Sequence, residues 1–474
     1  PGAFVELIPA METVLLGNPT KTINIKDPRT GLVTSTPLRE IHPIMVAAAK
    51  KPTVLPSIKD DVARLFDAEL KEIKGSGAQI KHCINCLKDP DRKNHFRKLV
   101  AMERLAELLG PDVIELLLPY LNHDYFRLRD HSRQLAANAI KLGGSAMLAS
   151  AFDPENEPSE ATGILAAFAL SGDKKGAVLA EEALKHEPVE LRYQALHTLA
   201  EILGGKAIDP ILNHLQSADH PLDQAGCEEA LTLIAENSKQ TEVVRDTLIK
   251  LLPKLDISDK GSAYMVLARI SDEKCLDVLE KAGSTDSKSE FNLLAEAVSY
   301  SPSRRADQIL LKFAKTDKAS AEVVGNYASR RLIIGPNGIG DITDKQRMDF
   351  AEPMIKLSMN KQLIDYLSTI YDARALRSLN YCLENGVIGA VESLVSNAER
   401  APKYSPDDAK VAAEALRNVI EYIEVTYLRG GPAGKHHAVY PRWKLMQARA
   451  GKALLKVDKP EAAPIPTFDP LEFE

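Results

Sequence analysis

Glu187-Pro188-Val189-Glu190-Leu191-Arg192-Tyr193-Gln194-Ala195-Leu196, running on through Leu199 and Ile202 to Leu203-Gly204, places Leu191, Ala195, Leu199 and Ile202 at spacings of four, four and three. Residues so spaced share one face of a helix, so the stretch predicts an amphipathic α-helix. Gly204 ends it, because a residue without Cβ takes the left-handed backbone that closes a helix. A second apolar segment, Ala207-Ile208-Asp209-Pro210-Ile211-Leu212, follows at once and predicts a partner helix running back along the first.

The same arrangement recurs on both sides. Helical segments end at Gly110, Gly143, Gly172, Gly204, Asn237 and Ser271, at intervals of 33, 29, 32, 33 and 34 residues. Polar turns separate paired helices at Asn122-His123-Asp124, Lys185-His186-Glu187 and Gln216-Ser217-Ala218-Asp219. The leucines before them, Leu121, Leu184 and Leu215, lie 63 and 31 residues apart. Two landmarks thus share a period of about 31–32 residues, the signature of a helical-repeat array. Leu128, Ser132, Leu135 and Leu142 extend the apolar stripe to an earlier unit.

Phe126-Arg127-Leu128-Arg129 with Ala136, Ala139, Leu142 and Gly143, and more closely the 187–204 stretch, resemble the short HEAT-like repeats of phycobilisome-lyase-type and related scaffold proteins. The resemblance spans roughly residues 97–320 and fades from about Gly261, where the Leu-Arg pair is lost. It implies an all-α, right-handed α-solenoid of HEAT-like helical pairs. It implies little about function, since such repeats serve unrelated partners. Lyase- or chaperone-like relatives keep an accessory role in chromophore attachment open.

The flanks read differently. Residues 1–55 form an extended arm whose Thr20–Lys26 and Leu32–Thr36 segments, around Asp27-Pro28-Arg29-Thr30-Gly31, predict a β-hairpin. Residues 56–96 are a helical lead-in, 97–320 the array, and 321–458 an irregular helical region. In the last, helices are expected near 346–358, 360–371, 373–384, 387–399, 406–428 and 442–455. Residues 459–474, with four prolines, are an extended tail.

Composition sets bounds. The chain has 474 residues, 45% of them apolar and 5% aromatic, and a formal net charge of −6. A globally acidic balance disfavours a nucleic-acid-binding function, which needs a positive field against phosphate. No apolar run reaches the length of a membrane span. Five scattered cysteines make no disulfide framework and lean towards the cytoplasm, while a chain read from Pro1 leaves any removed leader unseen.

Candidate chemistry is sparse. Gly335-Pro336-Asn337-Gly338-Ile339-Gly340-Asp341-Ile342-Thr343 resembles the phosphate loop of ATP-binding cassette proteins, but Asp341 stands where a lysine must neutralise phosphate. It reads as a turn between helices. His82-Cys83-Ile84-Asn85-Cys86 is the one cluster with metal-ligand residue types, and His82, Cys83 and Cys86 are its candidate ligands. Leu87 occupies the position at which c-type haem attachment needs His. Cys83 and Cys86 read equally as half-buried thiols on successive helical turns. His123, His186, His214 and His220 fall in or near the turns and suggest a pH-sensitive edge. Arg127, Arg129 and Arg192 are candidate partner-binding residues. With Arg92-Lys93, Arg97, Lys98 and Arg133, the first two make 92–133 locally basic. No constellation supports an enzyme, a cofactor or a small-molecule ligand. The expectation is a non-enzymatic scaffold or adaptor for protein partners, a subunit of a larger assembly. A lyase- or chaperone-like accessory subunit with a ligand or metal near Cys83 and Cys86, and a nucleic-acid-binding repeat protein, are the alternatives.

Overall fold

The structure is a computed structural model. It describes residues 58–89, 94–236, 240–335, 338–400, 406–429 and 440–457, the strands β1 (Thr22–Lys26) and β2 (Val33–Pro37), and the single positions Met11, Val14, Leu38 and Ile41. The tail at 459–474, the glycine-rich loop at 430–434, Arg92-Lys93 and the end point Asn237 lie outside the described residues. β1 and β2 pair antiparallel, Thr22 opposite Pro37 and Lys26 opposite Val33.

The chain divides into two compact units, one of residues 52–278 and one of residues 279–474 with 1–51. The first comprises α1 (Ile58–Glu72), α2 (Ser76–Leu87), α3 (His95–Leu109), α4 (Ile114–Leu117), α5 (Phe126–Ala139), α6 (Ser145–Ser150), α7 (Pro158–Ser171), α8 (Lys175–Ala183), α9 (Val189–Leu203), α10 (Ile208–Leu215), α11 (Pro221–Glu236), α12 (Thr241–Leu251) and α13 (Ile257–Ile270). Each odd-numbered helix packs on the next odd-numbered one, making a continuous row. The shorter even-numbered helices form a second layer, in which α4 packs on α6 and α6 on α8. This two-layer stacking is an α-solenoid.

α14 (Glu273–Ala282) runs across the division between the units. The second unit continues with α15 (Lys288–Ser299), α16 (Arg305–Ala314), α17 (Lys318–Arg331), α18 (Asp344–Leu357), α19 (Lys361–Leu367), α20 (Ala373–Glu384), α21 (Gly389–Arg400), α22 (Pro406–Ile423) and α23 (Tyr440–Val457). Here α15, α17, α19, α21 and α23 form one row and α16, α18, α20 and α22 the other. The fold is all-α. Among the described residues, no helix is long and apolar enough to cross a membrane.

The turn chemistry follows the residue types. Gly110, Gly143, Gly172 and Gly204 all have positive φ, and Ser271, at φ 60°, is the one non-glycine among the described residues that shares it. Gly110 and Gly204 take nearly the same backbone and each opens a 3₁₀ turn that leads into the second helix. The 187–204 stripe is buried at Leu191, Ala195 and Leu199 and half-buried at Ile202. In the earlier unit the stripe ends sooner. α5 stops at Ala139, the chain kinks through 140–144, and Leu142 is left 68% exposed. Ser132 keeps its place on the buried face because its hydroxyl donates to the Tyr120 carbonyl at 2.8 Å.

The segment at 334–343 is a two-residue antiparallel pairing of β3 (Ile334–Gly335) with β4 (Gly338–Ile339) between α17 and α18. A Cβ on Gly335 would fall 1.6 Å from the Asp341 carbonyl oxygen, so only glycine closes this turn. Thr343 and Gln346 then form a capping box at the start of α18.

Candidate interaction surface

Side chains that join one repeat to the next are separated in sequence by about one period. Arg192 on α9 forks onto Asp223 on α11, Nε to Oδ1 at 3.0 Å and Nη2 to Oδ2 at 2.6 Å. Thr198 donates to the Leu165 carbonyl of α7, and Gln224 to Ser258 of α13. In the second unit Tyr366 reaches the Leu332 carbonyl, and Asn397 reaches those of Leu367 and Ile370.

Arg192, named from the sequence as a partner-binding residue, is therefore turned inward. Its guanidinium also donates to the carbonyls of His186 and Glu187. Burial alone would raise the Asp223 carboxyl, but Arg192 and His214 outweigh burial and hold it below the ordinary carboxylate range. Arg127 lies over the Phe96 and Phe126 rings, at 5.4 and 5.8 Å from their centroids. Arg129 Nε is 3.5 Å from Asp130 Oδ1. Upstream, Arg97 is forked onto Glu69 and Arg104 onto Asp67. Within this stretch Arg97, Arg104 and Arg129 are thus paired with carboxylates inside the fold.

His82, Cys83 and Cys86 sit on α2. Both thiols are buried. Burial, with Cys86 adding to it, pushes the Cys83 thiol up to about 11, and burial raises Cys86 as well. His82 Nε2 turns to Glu69 at 3.3 Å. Among the described residues no group of three or more His, Cys, Asp or Glu side chains is placed to hold a metal ion. Cys227, Cys275 and Cys382 are also buried, with their thiols raised by burial, Cys382 to about 12.

The turn histidines have separate tasks. Tyr125 N–H donates to His123 Nδ1 at 2.9 Å, and Leu222 N–H to His220 Nδ1 at 3.1 Å. His214 Nε2 lies 3.3 Å from Asp223 Oδ1. His186, His214 and His220 line one open pocket of about 340 Å³ beside the Arg192–Asp223 pair.

A larger trough, about 450 Å³, opens on the odd-numbered row. Its floor is α7, where Ala166, Ala169 and Leu170 present little bulk. One wall is Arg133 and Gln134 of α5, and the other is Tyr193 and His197 of α9. Gly163 lets α7 approach the Leu121 turn so closely that a Cβ would lie 2.6 Å from the Leu121 carbonyl carbon. Tyr193 and His197 are fixed by Glu229 of α11, which accepts from the Tyr193 hydroxyl and lies 3.1 Å from His197 Nε2. Arg133 donates from Nε to the Leu121 carbonyl at 2.6 Å and from Nη2 to Asn122 Oδ1 at 3.0 Å. It forms no ion pair among the described residues, and burial, reinforced by Arg129, lowers its pKa to about 10.

Leu170 of this trough is one of three exposed leucines near the glycine ends of helical segments. Leu108, Leu142 and Leu170 stand one or two residues before Gly110, Gly143 and Gly172, and are 38%, 68% and 50% exposed. Of the three, the sequence reading names Leu142 alone, on the apolar stripe. Apolar periodicity does not disclose its exposure, because it does not say which turn ends the helix.

No family model matches the chain, and no curated protein sequence is similar to it. Among solved structures, the chain is similar to a mutant form of Kap121p, with a TM-score of 0.34 and 11% identity over 79% of this chain and 49% of that one. A crystal structure of Kap121p gives 0.32 and 12% over 79% and 49%. The karyopherin Kap121p bound to the extreme C-terminus of the protein phosphatase Cdc14p gives 0.27 and 13% over 88% and 50%. The chain spans about half the length of these proteins, and its assignment as a helical-repeat solenoid rests on its own helices.

Proposed function

We propose that the chain is a scaffold or adaptor, a subunit that offers the surface of its stacked helical rows to protein partners within a larger assembly. The observation that carries this reading is the set Leu108, Leu142 and Leu170, apolar side chains left partly in solvent near the glycine ends of three successive helical segments. Single exposed leucines are ordinary, whereas one in each of three successive repeats supplies apolar surface of the kind that interaction sites use. The inward use of charge supports it too, since Arg97, Arg104 and Arg192 are committed to carboxylates of neighbouring helices. A phosphate-binding groove needs such cations free.

The test is affinity capture of the full chain from its native source, with partner stoichiometry read by mass spectrometry. One or more proteins at fixed ratio are expected. The variant Leu108→Ser/Leu142→Ser/Leu170→Ser should lose them while its thermal melt is preserved. A wild-type chain recovered without any protein at fixed ratio overturns the reading.

A further inference from the structure

The trough between α5 and α9 has a composition that selects an occupant. Its floor is apolar, of Ala166, Ala169 and half-exposed Leu170, and offers an incoming apolar side chain a surface to cover. Along one wall lies Arg133, a guanidinium whose Nε and Nη2 are held by a carbonyl and an amide oxygen and which forms no ion pair among the described residues, with only the more distant charge of Asp130 acting on it. Such a group, fixed in direction and partly desolvated, gains most from an incoming carboxylate, because charge-assisted hydrogen bonds are strongest where water is thinned. Two acids also line the trough. Asp130 is 3.5 Å from Arg129, and Glu201 lies on α9. They repel a strongly acidic ligand, so a chain of many carboxylates, like a nucleic-acid backbone, is excluded while a single anchoring carboxylate is not.

We propose that this trough seats a mainly apolar segment of a partner protein carrying one carboxylate side chain, which pairs with Arg133 while an apolar side chain covers Leu170. The inference rests on the scaffold reading and names where and with what chemistry that scaffold holds one partner. The rigidity of the walls suits it. Tyr193 and His197 are already tied to Glu229, and Arg133 to the 121–122 turn, so little side-chain freedom is lost on binding.

The probe is a phage-displayed library of random 12-residue peptides panned on the full chain, with affinities of selected peptides read by fluorescence anisotropy. Enriched peptides are expected to combine apolar residues with a single Asp or Glu. Arg133→Gln should weaken them by ~10-fold or more, the loss of a charge-assisted hydrogen bond. Arg133 also braces the 121–122 turn, so Leu170→Glu serves as a second variant. This substitution at a half-exposed position places a like charge on the floor without touching the Arg133 hydrogen bonds, and it should weaken the same peptides at least as much. Peptides that bind both variants as well as wild type overturn the proposal. So does a selection without acidic residues, a selection that enriches nothing, or Arg133-dependent retention of a single-stranded oligonucleotide in place of peptide. If stoichiometric protein partners are still captured by Leu170→Glu, the scaffold stands and this trough is not its seat. If wild type captures none, the scaffold itself has failed.

Discussion

Asp223 shows how a side chain in this array is made dependent on the next repeat. It is 3% exposed, and its charge is tolerable because Arg192 reaches over from α9 and His214 stands at 3.3 Å. Removing one partner of such a buried pair strands the other, so Arg192→Ala should cost about 3–5 kcal/mol in denaturant unfolding. The carboxyl is depressed in the folded chain relative to about 3.9 when unfolded. Its contribution is therefore complete above that unfolded value and is lost as pH falls towards the folded one. Asp223→Asn should flatten the fall of stability on acidification below about pH 5, and an unchanged slope would remove Asp223 from the linkage. The thiols give a second residue-level expectation. With burial holding all five up, and Cys83 at about 11, native protein at pH 7.5 should react with a thiol reagent only as fast as it opens. Rapid labelling of Cys83 or Cys86 in the native chain would mark that pair as accessible and return attention to ligand chemistry on α2.

The elements carry the lesson about what a sequence discloses. From Gly110 to Gly204 the repeat was legible because glycine ends its helices, and the structure gives those glycines positive φ. Past Gly261 the glycine-ended pattern fades in the sequence, yet α13, α15 and α17 begin at Ile257, Lys288 and Lys318, intervals of 31 and 30 residues. The punctuation has moved to the other end of the helix. Asp256, Ser287 and Asp317 each cap a helix by accepting from the backbone N–H three residues on. N-caps of this kind were present in the sequence, at the same period, but a search keyed to glycine ends passes over them. Leu142 is the reverse case, an apolar residue in register whose helix stops before reaching it. The close approach of α7 to the Leu121 turn is also an element-scale property. Gly163→Ala would drive a methyl into the Leu121 backbone, and α7 or the 118–121 turn must shift, at a cost of about 1–3 kcal/mol. Peptide binding in the trough should weaken in the same variant. A chain as stable as wild type would show that the two elements are not packed as closely as described.

For the molecule as a whole, the site was less legible than the fold for a simple reason. Arg192 and Arg133 look alike in sequence, and only the position of Asp223 on a neighbouring helix pairs the first with a carboxylate, while the second forms no ion pair among the described residues. The formal charge of −6 is a property of the whole chain and could not locate a cation without an ion pair such as Arg133. The ladder of hydrogen bonds has a further bearing. Arg192 to Asp223, Thr198 to Leu165, Tyr366 to Leu332 and Asn397 to Leu367 span 31, 33, 34 and 30 residues. None of these ties reaches beyond the adjoining repeat. A chain so fastened resists tension as a zipper does. Stretched between its ends in an optical trap, each unit should yield as a train of small, similar ruptures, each releasing about 31 residues, or roughly 100 Å of extended chain.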